Sequence, residues 1–371
     1  MDIVVAGGGI AGLAAGTALA RAGIGVTVVE RAPVLGAVGS GLVLAPNGIA
    51  ALDAISPALG AAVRAAGHVA APGEGRPWLN PAGEVLSVDP IGELEGRWGT
   101  PQVSVRRSAL QAALLAAARA AGVTVRTGAR VSGHVDHGDV VEVRFDDGRT
   151  LAAAALLGAD GVHSVVRERL LGDGPPRYCG YTSVRGEAVA PAGLPYGFVA
   201  AGGGTHLFAA SIGPGRLYWA AKLDAAPGVW PAKASSAARA ELLGLLGGWD
   251  SRVVGVVRGG GALVVTDVLD RDPVPRWSFG RVTLLGDAAH PMSPAVGQGA
   301  SLALEDAVVL AECLRREADV PAALATYSEV RAPRAAAVVG RSRSGRTVVA
   351  DDVDEFAELY AWRPLLLGGK S

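Results

Sequence analysis

The sequence is short of the features that commit a chain to disulfides, membranes or nucleic acid. It has two cysteines, Cys179 and Cys313, which form no CxxC and give no disulfide framework, so the expected setting is a reducing cytoplasm. No uninterrupted apolar run approaches the roughly 18–20 residues of a membrane span. The longest, such as Leu151–Leu157, suit buried strands instead. There is no polybasic run and no acidic tail, and the net charge of −1 argues against nucleic acid or anionic lipid as the main partner. Met1 is followed at once by an apolar strand, which reads as a chain without a signal peptide. The 6 histidines are scattered, and His134-x-x-His137 falls in an expected hairpin loop without Cys or HExxH context, so no metal site is expected. Aromatics make up 5% of the chain and offer no strong hint of a ligand. At 371 residues, two interleaved domains are expected rather than one.

Glycine, by contrast, is abundant, with 53 residues, and its placement at the N-terminus is informative. Residues 2–6, DIVVA, read as a buried strand. Gly7-Gly8-Gly9-Ile10-Ala11-Gly12 follows as GxGxxG, then a helix-patterned segment, Leu13–Ala22, and a second strand, Val26–Val29, ending at Glu30. Gly7 permits the tight turn, Gly9 lets backbone approach a pyrophosphate, and Gly12 lets helix and strand pack closely. The helix start offers unpaired N–H groups and a positive dipole end to phosphates. GxGxxG alone is a weak signal; strand, helix, strand and acid in this order make a strong one. Glu30 is expected to bind the ribose 2′- and 3′-hydroxyls. Its carboxylate repels a 2′-phosphate, which favours FAD or NAD over NADP at this site.

Two later segments sharpen the choice. Gly158-Ala159-Asp160-Gly161-Val162-His163-Ser164-Val165-Val166-Arg167 follows a hairpin, Val140–Phe145 and Arg149–Ala155, with a DDG turn. The short strand Arg281–Leu285 leads into Gly286-Asp287-Ala288-Ala289-His290-Pro291. With GGGIAG and Glu30, these motifs resemble the single-component FAD-dependent aromatic hydroxylases, the group A flavoprotein monooxygenases typified by p-hydroxybenzoate and salicylate hydroxylases. The resemblance extends to Pro46-Asn47 after the glycine-rich loop Gly36–Gly41, to Arg107-x-x-Leu110 and Arg185-Gly186, and to Gly297-Gln298-Gly299 before a long helix. It ends at Tyr327-x-x-x-Arg331-x-x-Arg334.

The resemblance implies bound FAD, held by Glu30, Arg107 and Asp287, with Asp287 accepting a hydrogen bond from the ribityl chain and Asp160 near the pyrophosphate. Arg106 is a register rival for Arg107. Gly7, Gly9, Ile10, Ala11, Gly12, Arg31, Gly41, Pro294, Gly297, Gln298, Gly299 and Ala300 complete the expected cofactor set. It also implies NADPH or NADH docking transiently as reductant, O2 as co-substrate, and hydroxylation of an aromatic or heteroaromatic small molecule through a flavin C4a-hydroperoxide. Pro291 and Pro294 are expected to form an apolar, water-poor wall between flavin and substrate. Arg185 reads equally as a ligand for substrate or NAD(P)H and as a sheet-face ion pair. Epoxidation or Baeyer–Villiger oxygenation of a polyketide-like substrate, and a non-catalytic FAD-bound sequestering protein, are the alternatives. A flavin halogenase is disfavoured because no Trp-x-Trp occurs among the 7 tryptophans.

Several residues carry a plainer reading beside the functional one. His290 titrates near neutral pH, but no carboxylate or nucleophile stands at a recognisable triad spacing, so it reads as a loop residue near the flavin. Asp160 could simply cap a helix. Trp219 and Tyr218, in the strand-like run Leu217–Lys222, both read as core rather than substrate wall.

The expected architecture is α/β: a doubly wound β-α-β FAD-binding domain with an inserted antiparallel substrate-binding sheet and a helical C-terminus. The first is assigned to residues 1–72, 100–172 and 275–371, the second to 73–99 and 173–274. One helix, 233–247, is expected across the outer side of the sheet, and Pro333 should kink or divide the last long helix.

Overall fold

The computed structural model describes residues 2–36, 40–344 and 357–362. Residues 37–39 of the glycine-rich loop, and 345–356 and 363–371 of the expected helical C-terminus, lie outside the described residues.

The N-terminal fingerprint folds as its spacing demands. Asp2–Ala6 and Gly25–Glu30 are adjacent parallel strands in a five-stranded sheet, with helix Ile10–Arg21 between them in the chain. The helix starts at Ile10, three residues earlier than the apolar pattern marks, because Ile10, Ala11 and Gly12 are themselves buried. A Cβ on Gly12 would stand 1.9 Å from the Gly7 carbonyl oxygen, and Gly7 itself has φ +110°. Both glycines are therefore fixed by steric necessity. Ala155–Gly158, Val282–Leu284 and Thr124–Thr127 complete the sheet, all in parallel register. Asp2–Ala6, Ala155–Gly158 and Val282–Leu284 are almost wholly buried, as parallel strands covered on both faces must be, whereas the edge strand Thr124–Thr127 is mostly exposed.

The run Leu151–Leu157 is not one strand. It divides at Ala154, whose N–H donates to Asp2 O at 2.8 Å. Thr150–Ala153 closes a three-stranded antiparallel sheet, whereas Ala155–Gly158 enters the parallel one. His134 likewise lies within strand Val131–Asp136, and only His137 falls in the turn that follows.

The second large sheet has seven strands, in the order Val264–Asp270, Arg177–Val189, Arg216–Asp224, Thr205–Ser211, Gly197–Gly202, Arg76–Leu79 and Val85–Asp89. It is antiparallel except where Gly197–Gly202 meets Arg76–Leu79. Strand alternation gives it two distinct faces. One face, with Val184, Leu207 and Trp219, packs on helices Ser235–Leu245 and Ser251–Arg258 in a core of its own. The second of these helices was not marked by the sequence pattern. Trp219 is fully buried there as expected, but Tyr218 is not core: strand alternation turns it to the opposite face, where it lines the cavity.

Two long helices, Gly299–Arg316 and Val320–Arg343, close the structure. Pro333 sits inside the second without dividing it. A proline costs its own N–H bond, and here the neighbouring Arg331, Ala332 and Ala335 are buried against the body, so tertiary packing overrides the break. No described helix is long and apolar enough to cross a membrane.

Candidate functional site

A cavity of about 880 Å³ opens between the parallel-sheet body and the free face of the seven-stranded sheet. From the body it takes the first turn of the N-terminal helix (Gly9, Ile10, Ala11), Gly41, Arg107, Asp287 and the loop Met292–Ala300. From the sheet it takes side chains two residues apart on each strand: Trp78 with Arg76, His206 with Phe208, Tyr218 with Ala220, and Tyr181, Ser183 and Arg185. That spacing is the inward half of the strand alternation whose outward half builds the helix-covered core.

At the body side the lining is bare backbone with few, well-placed polar groups. Gly9 has nothing within 4 Å of where a Cβ would stand, so the helix start faces open space. Asp287 is exposed to the cavity and makes no hydrogen bond among the described residues. Of the two adjacent arginines, Arg107 lines the cavity, while Arg106 is bonded to Glu187 at 3.1 Å. Gln298 is buried; its Oε1 accepts from Asn47 Nδ2 at 2.8 Å, and its Nε2 has no partner among the described residues. Glu30 lies just outside the lining, where its carboxylate accepts from the N–H groups of Gly8 and Ala32, each at 2.8 Å. An open helix start, an unbonded carboxylate and an orphaned amide donor converge on one cavity. They fit a ligand with phosphates, sugar hydroxyls and a heterocyclic carbonyl edge, as FAD has.

Several expected contact residues stand outside the cavity lining, and some of them make bracing contacts. Asp160 is absent from the lining, although its neighbours Ala159 and Gly161 are present. Its carboxylate accepts from Ser164 Oγ and from the N–H groups of Val165 and Val166, capping helix Val165–Leu171. Burial pushes that carboxyl above its ordinary range, against the pull of these hydrogen bonds. The structure thus gives Asp160 the helix-capping role that the sequence left as its plainer reading. Arg167, fully buried, donates to the carbonyls of Ala288 and Ala289 and pairs with Asp173. Gly7 and Gly12 brace the turn, Arg31 is exposed outside the cavity, and Pro291 is buried behind it. The wall residues are instead Met292, Ser293 and Pro294. Arg185 lines the cavity and donates to Thr266, with no ion pair among the described residues.

His290 corrects a second expectation, since a carboxylate does face it. Its Nε2 donates to Asp306 Oδ2 at 2.7 Å, with both side chains buried. Asp306 also accepts from the Gly286 N–H at 2.9 Å and from Arg331 Nε at 2.8 Å. Next to it, Glu305 pairs with Arg331 and Arg334 and accepts from Asn47. His290 does not line the cavity. The Asp/His pair is a buried clamp that fixes the GD loop to both long helices. Tyr181 and Ser342 hold the other end of the loop. Tyr181 Oη and Ser293 Oγ are 2.8 Å apart, and Ser342 Oγ donates to the Ser293 carbonyl at 2.9 Å. Tyr181 carries no motif, and no signal in the sequence pointed to it.

The pattern of the FAD binding domain matches residues 1–342. An aurachin C monooxygenase/isomerase of Stigmatella aurantiaca is 40% identical over 339 residues, which cover 90% of this chain and 86% of the relative. A 3-hydroxybenzoate 6-hydroxylase of Aquipseudomonas alcaligenes is 36% identical over 351 residues, covering 92% and 88%. Among solved structures, Klebsiella pneumoniae HpxO complexed with FAD and uric acid superposes with a TM-score of 0.85 at 28% identity, covering 98% of this chain and 93% of that one.

Proposed function

This chain belongs to the FAD-binding-domain family of flavoprotein monooxygenases and binds FAD, and from that premise we propose that it is an NAD(P)H- and O2-dependent hydroxylase of an aromatic or heteroaromatic small molecule. The observation that carries this reading is the continuity of one cavity. It runs from the bare helix start at Gly9 and the carboxylate of Asp287 to a sheet face bearing Trp78, Phe208 and Tyr218. Flat aromatic walls suit a ring substrate.

In this reading Gly9, Ile10 and Ala11 take the pyrophosphate, with Glu30 at the adenosine ribose and Arg31 and Gly41 beside the dinucleotide. Arg107 and Asp287 take the ribityl chain. The N–H groups of Gly297–Ala300, at the start of helix Gly299–Arg316, face the heterocycle edge. Bound FAD supplies the electron transfer and dioxygen activation that no side chain here can supply. The chain's own residues supply position and dryness. The Tyr181–Ser293–Ser342 contacts fix the Met292–Pro294 segment as a wall between the two halves of the cavity, and Arg185 orients what lies against the sheet. Segments 73–99 and 173–274 act as the substrate-side unit, and the remainder holds the cofactor.

The test is NADH and NADPH oxidation by the purified flavoprotein across hydroxybenzoates, hydroxypyridines, quinolones and purines, with ¹⁸O2 to trace the oxygen. One ring class should stimulate oxidation and give a product heavier by one labelled oxygen. If no compound stimulates oxidation while ligands still bind, the sequestering reading replaces this one. A second reading follows from the 40% relative, whose name includes isomerase. A labelled product with a migrated substituent would support it.

A further inference from the structure

Buried guanidinium groups in this chain are, as a rule, saturated. Arg167 donates to two carbonyls and an aspartate, and Arg331 meets Glu305 and Asp306. Arg76 breaks the rule. It is 6% exposed, yet neither its Nε nor its Nη2 has a hydrogen-bond partner among the described residues. It sits on strand Arg76–Leu79 with its side chain on the cavity face, and it lines the cavity.

The surroundings narrow what could satisfy it. The guanidinium carbon lies over the Phe208 ring at 4.9 Å, a face contact that leaves the in-plane N–H edge unused. Asp89 is its register partner on the next strand, but the two form no ion pair. Arg185, on the same face, also has an unbonded Nε. Two incompletely bonded cations therefore face one cavity, and Asp89, the acid set beside Arg76 in register, pairs with neither among the described residues. Leaving such a group buried and unpaired is costly, and a planar anion is the complement that a guanidinium fork matches best. Burial weakens the hold of Arg76 on its proton but leaves it a cation at neutral pH.

We propose that Arg76 is a specificity-determining residue that receives a planar oxyanion of the ring substrate, either a carboxylate or an ionised ring oxygen with an adjacent acceptor. The inference rests on the aromatic-substrate reading of the same cavity. It adds that the ring arrives charged, with its anionic edge on strand Arg76–Leu79 and its plane among Phe208, Trp78 and Tyr218.

The experiment measures binding without turnover, by ligand-induced change in the flavin absorbance of the holoprotein, supported by calorimetry. Probes are benzoate and 3-hydroxybenzoate with their methyl esters, and urate and 4-hydroxyquinolin-2-one with their O-methyl ethers. The first set tests a carboxylate and the second a ring oxyanion. At least one anion should bind the wild type more tightly than its neutral partner. Arg76→Met should weaken that anion roughly 10- to 100-fold, as expected for a charge-assisted pair, and leave the neutral partner within about threefold. Arg76→Lys, which keeps the charge and loses the fork, should fall between them and decides the matter if Arg76→Met does not hold flavin.

The proposal is overturned if anions and neutral partners bind alike, or if both Arg76 variants bind the anion as the wild type does. It is overturned equally if Arg185→Met takes the whole loss. Arg76-dependent binding without stimulated NAD(P)H oxidation would leave this subsite standing and remove the hydroxylase reading.

Discussion

Replacing Asp306 by asparagine tests the buried clamp behind the GD loop. The side chain is fully buried, and its two oxygens take three donors, from Gly286, His290 and Arg331. Burial opposes its charge, but the facing His290 and Arg331 outweigh burial and hold the carboxyl at about 2 against an ordinary 3.8. A folded-state value below the unfolded one adds stability that is complete above the unfolded value and is lost as pH falls towards the folded one. The shift corresponds to about 2 kcal/mol at neutral pH, with roughly half of it gone near pH 3. Asp306→Asn keeps the shape, removes the charge and turns an amide N–H₂ towards one of the donors. Glu305 still pairs with Arg331 at 2.8 Å, so the expected loss is about 2–4 kcal/mol rather than the full cost of a stranded buried cation. Urea unfolding at several pH values, followed by tryptophan emission, reads this directly. Trp277 lies 5.3 Å from the His290 ring and reports on the clamp itself. The gap between wild type and variant should be full at pH 7 and 5 and should narrow near pH 3. Equal midpoints at pH 7, or a gap that does not change with pH, would refute the reasoning.

Other substitutions separate contact from bracing. Gly12→Ala drives a Cβ to 1.9 Å from the Gly7 oxygen and should abolish soluble expression or cost more than about 3 kcal/mol. Gly9→Ala meets no protein atom, so it should leave the apoprotein melting temperature unchanged while lowering flavin affinity, read by flavin fluorescence on dilution. Asp287→Ala removes an unbonded carboxylate from the cavity and should yield protein largely depleted of FAD; stoichiometric retention would sink its assignment. Asp160→Ala should cost about 1 kcal/mol as a lost helix cap and retain flavin, because its carboxylate is taken up by Ser164 and the N–H groups of Val165 and Val166.

What could be read from the sequence follows the range of the physics involved. The N-terminal β-α-β unit was legible because its determinants are local: a glycine turn, a helix start and a terminal acid within thirty residues. Tyr218 and Trp219 were both read as core, and only one of them is, because which side of the strand faces a cavity depends on where helices Ser235–Leu245 and Ser251–Arg258 pack. The partner of His290 could not be found by spacing. Asp306 is 16 residues away, and its role appears only when helix Gly299–Arg316 folds back beside the loop. Arg76 had no motif at all, since its interest is a deficit of partners that only a folded neighbourhood reveals.

The same physics explains why the most diagnostic residues mostly avoid the ligand space. A loop that presents bare N–H groups must be small-chained where it faces the cavity, as at Gly9, Gly297, Gly299 and Ala300. It therefore cannot hold its own shape with its own side chains. Its shape has to come from behind: from Arg167 on the Ala288 and Ala289 carbonyls, from Asp306 on the Gly286 N–H, and from Asn47 on Gln298. Substitutions at these bracing positions should alter flavin affinity by moving the loop backbone, whereas those at Asp287 and Gly9 should alter it by contact. The two groups differ in whether stability falls along with flavin content.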